Sequence, residues 1–195
     1  MKRSTGCLAG LGLLILVSLV YGGISFYGGK WIDRYQQPWA YSTSEPILVG
    51  QWQCQFKDPD GVAKTLSLTI GEPTTDDERW DKAFSKRKRR SRTNKRAFDG
   101  MAEVSSRLGR EPYEIWGSVT EDDMHQLNQV EFRSTLDKGL PKPNFFINLT
   151  KNGHWDNNAL LFTLVFSYRR PDGSSFWSSD NPRFNREIPV RLARQ

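Results

Sequence analysis

Cysteine and histidine are scarce in this chain of 195 residues, with two of each at Cys7, Cys54, His125 and His154. Two cysteines make no disulfide framework, and Cys7 stands at the head of an apolar segment where it cannot easily meet Cys54. Neither histidine has a second His or a Cys at ligand spacing, so neither a zinc site nor a Cys–His nucleophile is expected. A Gly-rich phosphate loop and a G-x-S-x-G elbow are also missing. No metal, cofactor or catalytic residue is therefore assigned.

Charge is absent from Ser4 to Gly29. As a helix the strongly apolar part, Cys7 to Tyr27, is roughly 30 Å long, the thickness of a bilayer core. The rival is a cleaved signal peptide, whose apolar region of about 7–15 residues ends at a small-x-small site. Leu8–Tyr21 fits that length, but no good cleavage site follows and the apolarity continues through Ile24, Phe26 and Tyr27. The expected layout is a tail over 1–5, a transmembrane helix over 6–29, a juxtamembrane linker over 30–46 and a β-domain over 47–195. Tyr27, Trp31, Tyr35, Trp39 and Tyr41 would form an interfacial aromatic belt. The flanking charges favour a cytoplasmic N-terminus by a slight margin, which places the domain outside an inner (plasma) membrane, in the periplasm.

After the linker a period-two pattern takes over. In LVGQWQCQF, Leu48, Gly50, Trp52, Cys54 and Phe56 share one face and three glutamines the other. Lys57–Gly61 reads as a turn, followed by Leu66, Leu68 and Ile70 facing inward. Phe98, Gly100, Ala102, Val104 and Leu108 alternate likewise, as do Tyr113, Ile115, Gly117 and Val119. Val130 and Phe132 end a further strand, Asn152-Gly153 is expected to turn a hairpin, and Pro189 suggests an edge or bulged position. The pattern predicts an all-β domain: an antiparallel meander of about eight or nine strands, barrel or sandwich, with one short inserted helix.

Gly50-Gln51-Trp52 at the start of the first strand, the meander, and a late Arg191 or Arg194 together resemble the lipocalin family of calycin-type barrels. Members often begin with G-x-W and pack a late Arg over that Trp. The resemblance implies a small hydrophobic ligand in the barrel mouth. Inward residues such as Trp52, Phe98 and Phe162 would line its cavity.

The net charge of +6 is local. Lys86, Arg87, Lys88, Arg89, Arg90, Arg92, Lys95 and Arg96 put eight cations into eleven positions, and without them twenty basic residues face 22 acidic ones. Nucleic-acid binders spread their charge over a face and interleave aromatics, so nucleic acid is not the expected partner. The run ends a charged insertion over 72–96. There Thr74 or Thr75 can cap a helix with Asp77 or Glu78 as the return partner, acids first and bases last. That arrangement accounts for two or three cations, not eight. A block of like charges marks a solvated or an interacting segment, and for a tethered domain the nearest large polyanion is the membrane. Three functions follow: a non-enzymatic envelope binding domain whose basic insertion meets anionic lipid or an acidic partner; a carrier of a small hydrophobic ligand; and an enzyme whose carboxylates, drawn from acidic turns such as Glu121–Asp123, converge only in the fold.

Overall fold

The computed structural model describes residues 4–44, 46–84, 94–135, 144–170, 175–176 and 186–195. Three helices, α1 (Ser4–Gln36), α2 (Pro38–Tyr41) and α3 (Asp76–Phe84), accompany ten strands. These are β1 (Gly50–Lys57), β2 (Ala63–Ile70), β3 (Ala97–Ser106), β4 (Gly109–Ser118) and β5 (Gln126–Leu127), then β6 (Glu131–Ser134), β7 (Phe145–Trp155), β8 (Ala159–Arg169), β9 (Ser175–Phe176) and β10 (Arg186–Arg194). Eight of them close an antiparallel barrel in the order β7-β6-β4-β3-β2-β1-β10-β8, with β8 returning to β7. The two-residue β5 and β9 add to β7 and β8. Of the two architectures the alternation allowed, the chain forms the barrel.

The alternation does the packing. Trp52, Cys54 and Phe56 of β1 stand opposite Leu68, Leu66 and Lys64 of β2, and Leu66 and Leu68 stand opposite Val104 and Ala102 of β3. All of these are buried, as are Tyr113 and Ile115 of β4, Phe162 and Leu164 of β8, and Val190 and Leu192 of β10. Each large apolar side chain so buried contributes about 1.5–3 kcal/mol. Cys54 packs inward as its parity requires, and burial pushes its thiol up to about 11. Pro189 opposes Thr163 of β8, while the β1 ladder reaches only Ala193 and Arg194 of β10. The proline thus sits where its missing N–H interrupts no ladder to β1.

Four details depart from the sequence pattern. Asn152-Gly153 does not turn a hairpin; β7 runs through it to Trp155 with a register shift between Lys151 and His154. Asn152 takes φ 53°, and a Cβ on Gly153 would stand 2.6 Å from the Leu127 side chain, so the pair makes a bulge that lets β5 dock. The turn comes after it, where Asp156 Oδ1 accepts the N–H groups of Asn158 and Ala159. Leu108 lies in the β3–β4 turn and is exposed. α1 does not stop at Gly29 but continues to Gln36, and the expected linker forms its last turns and α2. Trp39, expected in the aromatic belt, is buried against the core, its ring 6.0 Å from Phe98.

The termini of the strands give the barrel two unlike ends. At the base lie α2, the β2–β3 insertion, the β4–β6 connection and the β7–β8 turn; at the mouth lie the β1–β2 and β3–β4 turns and the ends of β6, β8 and β10 that face them.

Candidate functional site

The base is closed by a cation and an aromatic plug. Arg194, not Arg191, lies over Trp52, with its guanidinium carbon 4.4 Å from the ring centroid. It donates to Val49 O at 3.1 Å and to Ile47 O, while Trp52 Nε1 donates to Leu48 O at 2.9 Å. Gly50 is required beneath it: its φ is +138°, and a Cβ there would lie 3.0 Å from Arg194 Nη1. Among the described residues no carboxylate pairs with Arg194, and burial lowers its pKa. Beside it, α2 inserts Trp39, whose Nε1 and the neighbouring Gln37 Nε2 both donate to Lys95 O.

α3 then locks α1 to the barrel. Its N-terminus is a reciprocal capping box: Glu78 N donates to Thr75 Oγ1 and Thr75 N to Glu78 Oε2, each at 3.3 Å. Asp76 accepts Lys30 Nζ at 2.8 Å, and this hydrogen bond, outweighing a slight cost of burial, lowers its pKa. Arg79 Nη2 reaches Asp33 at 2.9 Å, Nη1 reaches Asp76 at 3.1 Å, and the guanidinium lies over Tyr41. Burial alone would draw Arg79 down, but the Asp33 carboxylate holds its pKa above the ordinary value. Tyr41 Oη accepts Thr74 N and donates to Thr74 O. Trp80 stacks on Phe26, with centroids 4.4 Å apart. Asp76 meets Lys30, Arg79 meets Asp33 and Trp80 meets Phe26, so α3 packs along the α1 segment from Phe26 to Asp33. Phe26, Lys30 and Asp33 therefore form one docking face of α1, and Gln37, just past its end, continues it. Tyr27, Trp31 and Tyr35, four residues apart on another face, are exposed.

At the mouth, charge is buried. Lys64 Nζ lies 2.6 Å from Glu111 Oε1 and 3.3 Å from Asp58 Oδ2, with side-chain exposures of 3%, 11% and 6%. Tyr113 Oη donates to Glu111 Oε2 at 3.0 Å, and burial, then the Glu111 charge, raises its pKa. The β1–β2 turn fixes Asp58: Val62 N donates to its Oδ1 at 2.8 Å and Gly61 N to its carbonyl. A cavity of about 320 Å³ opens onto this group, bounded toward solvent by Asp60, Arg110 and Asn144.

Of the residues singled out in the sequence, Trp52, Phe98 and Phe162 are buried in the core. Lys95 meets Gln37 and Trp39 through its carbonyl, and Arg96 is exposed and paired with Glu121 at 3.0 Å. Lys86, Arg87, Lys88, Arg89, Arg90 and Arg92 lie outside the described residues. His125 is half-buried against Trp155, with ring centroids 4.9 Å apart, and His154 is exposed. Among the described residues no cluster of His, Cys, Asp and Glu could hold a metal ion.

The Lys64–Glu111–Asp58 group escaped the sequence reading. Its signal was parity: Lys64 shares the face of Leu66 and Leu68, and Glu111 that of Tyr113 and Ile115, so each charge falls on an inward position.

No known family matches the chain, and neither a curated protein nor a solved structure does. The fold itself defines the class: a closed eight-stranded antiparallel barrel preceded by a helix, Gly10–Gln36, long and apolar enough to cross a membrane.

Proposed function

We propose that this is a single-pass, membrane-anchored barrel that acts as a non-enzymatic binding module held at the bilayer surface. In this reading its basic insertion lies on anionic lipid. The observation that carries the reading is the docking of α3 on α1, where Trp80 stacks on Phe26 beside the last apolar residues of the helix. Lys86, Arg87, Lys88, Arg89 and Arg90 follow α3 in the sequence, so a helix docked on the anchor leads into the basic run. Each such cation near an anionic surface contributes on the order of 1 kcal/mol. Exposed Leu11, Leu14, Val17 and Ile24 along α1 support the anchor, because a helix with that surface finds its solvent in lipid. The aromatic stripe of Tyr27, Trp31 and Tyr35 supports an interface at that level. An inner-membrane location with the barrel in the periplasm follows the flanking charges.

The test is brief trypsin digestion of the full chain in nanodiscs. Cleavage within 86–96 should be slow in anionic discs, faster in zwitterionic ones, and restored in the anionic discs by salt. Equal rates in both lipids would sink the lipid contact and leave an acidic protein partner.

A second reading, a small-ligand carrier of the lipocalin type, is favoured by Arg194 over Trp52 and by the cavity at the mouth. The apolar well once expected around Trp52, Phe98 and Phe162 is replaced in this reading by the polar chamber around Lys64. An enzyme with a carboxylate site has no further support: Asp58 and Glu111 converge, but on Lys64.

A further inference from the structure

The mouth cavity holds an unbalanced charge. Lys64 is held between two carboxylates, Asp58 and Glu111, all three side chains nearly or fully withdrawn from water. Tyr113 Oη donates a hydrogen bond to Glu111 Oε2 without adding charge. Further out, Asn144 donates to Asp60 and Arg110 faces Glu103 at 3.8 Å; among the described residues that line the chamber, two cations stand against three carboxylates, one net negative charge. In water such an excess is trivial. In a recess of low dielectric it is costly unless a cation completes the set, because the interaction of unit charges grows severalfold as the surroundings lose water.

We propose that this chamber binds a small ligand carrying one primary ammonium group, seated against Glu111 and Asp58 beside Lys64. The inference rests on the small-ligand reading and gives it a chemistry. The volume of about 320 Å³ is at the lower end of the usual range for ligand sites, about 300–1,000 Å³, which suits a compact amine and not a long-chain lipid. Glu111 and Asp58 each keep acceptor capacity beyond the bonds described, since a carboxylate has about four lone-pair positions. Lys64 sets the limit to one cation: a second would meet its ammonium group. Asn144, whose Nδ2 donates to Asp60 Oδ2 at 3.4 Å, holds the outer carboxylate at the rim.

The experiment uses the full chain in zwitterionic nanodiscs and saturation-transfer NMR, with n-butylammonium as the probe and butyrate as its partner of opposite charge. Butylammonium should bind and butyrate should not. Two rim variants that leave the buried group intact should act with opposite signs: Asp60→Asn weakens the amine about threefold and Arg110→Gln tightens it by a similar factor. Arg110 is 78% exposed, so its replacement does not threaten the fold. Glu111→Gln should weaken binding at least about tenfold, since it removes a charged partner of the ammonium. Butyrate binding in preference to butylammonium, or rim variants that move affinity in the same direction, would overturn the charge assignment while leaving a ligand site. Neither probe binding at millimolar concentration would overturn both this proposal and the carrier reading.

Discussion

The two ends of this barrel bury charge in opposite ways. At the base, Arg194 is satisfied by a tryptophan face and by neutral carbonyls, and the space around it is filled by Trp39, Leu48 and Trp52. At the mouth, Lys64 is satisfied by carboxylates, and the space next to them is open. A cation over an aromatic ring needs no counter-charge and leaves no demand on its surroundings. A lysine between two carboxylates solves its own desolvation while creating a surplus for something else to meet. The base is built to stay shut, and the mouth is built around an unfinished electrostatic arrangement.

The largest test of that contrast is Lys64→Met. It leaves Glu111 and Asp58 buried without their cation and should lower unfolding free energy by about 3–5 kcal/mol in urea denaturation. Adding Glu111→Gln should recover much of the loss, because the orphaned charge is what destabilises. Arg194→Ala should cost about 3 kcal/mol through lost charge-assisted carbonyl bonds and the ring contact. Here no neutralising second substitution restores stability, since no charge has been orphaned. Rescue at both ends, or at neither, would erase the distinction.

A smaller effect concerns Cys54, in the core between them. Its thiol is raised from 9.0 to about 11, so the folded state holds the proton more tightly than the unfolded chain. The stability this gives is fully present below pH 9.0 and lost as pH rises toward about 11. Cys54→Val should therefore flatten part of the fall in melting temperature across that window. An unchanged slope would mean the thiol is not the group titrating. Thr75→Ala is the mildest change. Removing one side of the capping box should cost about 1 kcal/mol, confined to α3 and visible as faster amide exchange there.

The strand meander was legible because its signal is local. Trp52, Cys54 and Phe56 alternate with glutamines, and side chains in a strand have no other period to follow. The capping box was legible for the same reason, Thr75 and Glu78 being three residues apart. What escaped depends on contacts across the fold. Closure into a barrel and not a sandwich was not legible, since it rests on pairings such as Trp52 with Arg194, far apart in the sequence. Lys64 and Glu111 are 47 residues apart, and only strand register brings them together. Asn152-Gly153 carries a strong hairpin signal, yet Leu127 packs against the glycine and turns the pair into a bulge. Trp39 looked interfacial beside Tyr35, but the helix break at Gln37 sends it into the barrel, where Phe98 and the Lys95 carbonyl receive it.

The unbroken run of α1 into its docking face has a consequence for how the domain meets other molecules. A barrel on a flexible leash sweeps a hemisphere above the membrane and can search for partners at many heights. This one has no leash: Lys30 and Asp33, in the last turns of the helix, and Gln37 just past its end are already bonded to α3 and the barrel base. With α1 in the bilayer, the barrel is held at one fixed altitude and moves only as the anchor diffuses and tilts. Its encounters are then those of a post on a floor, set by what arrives at that height.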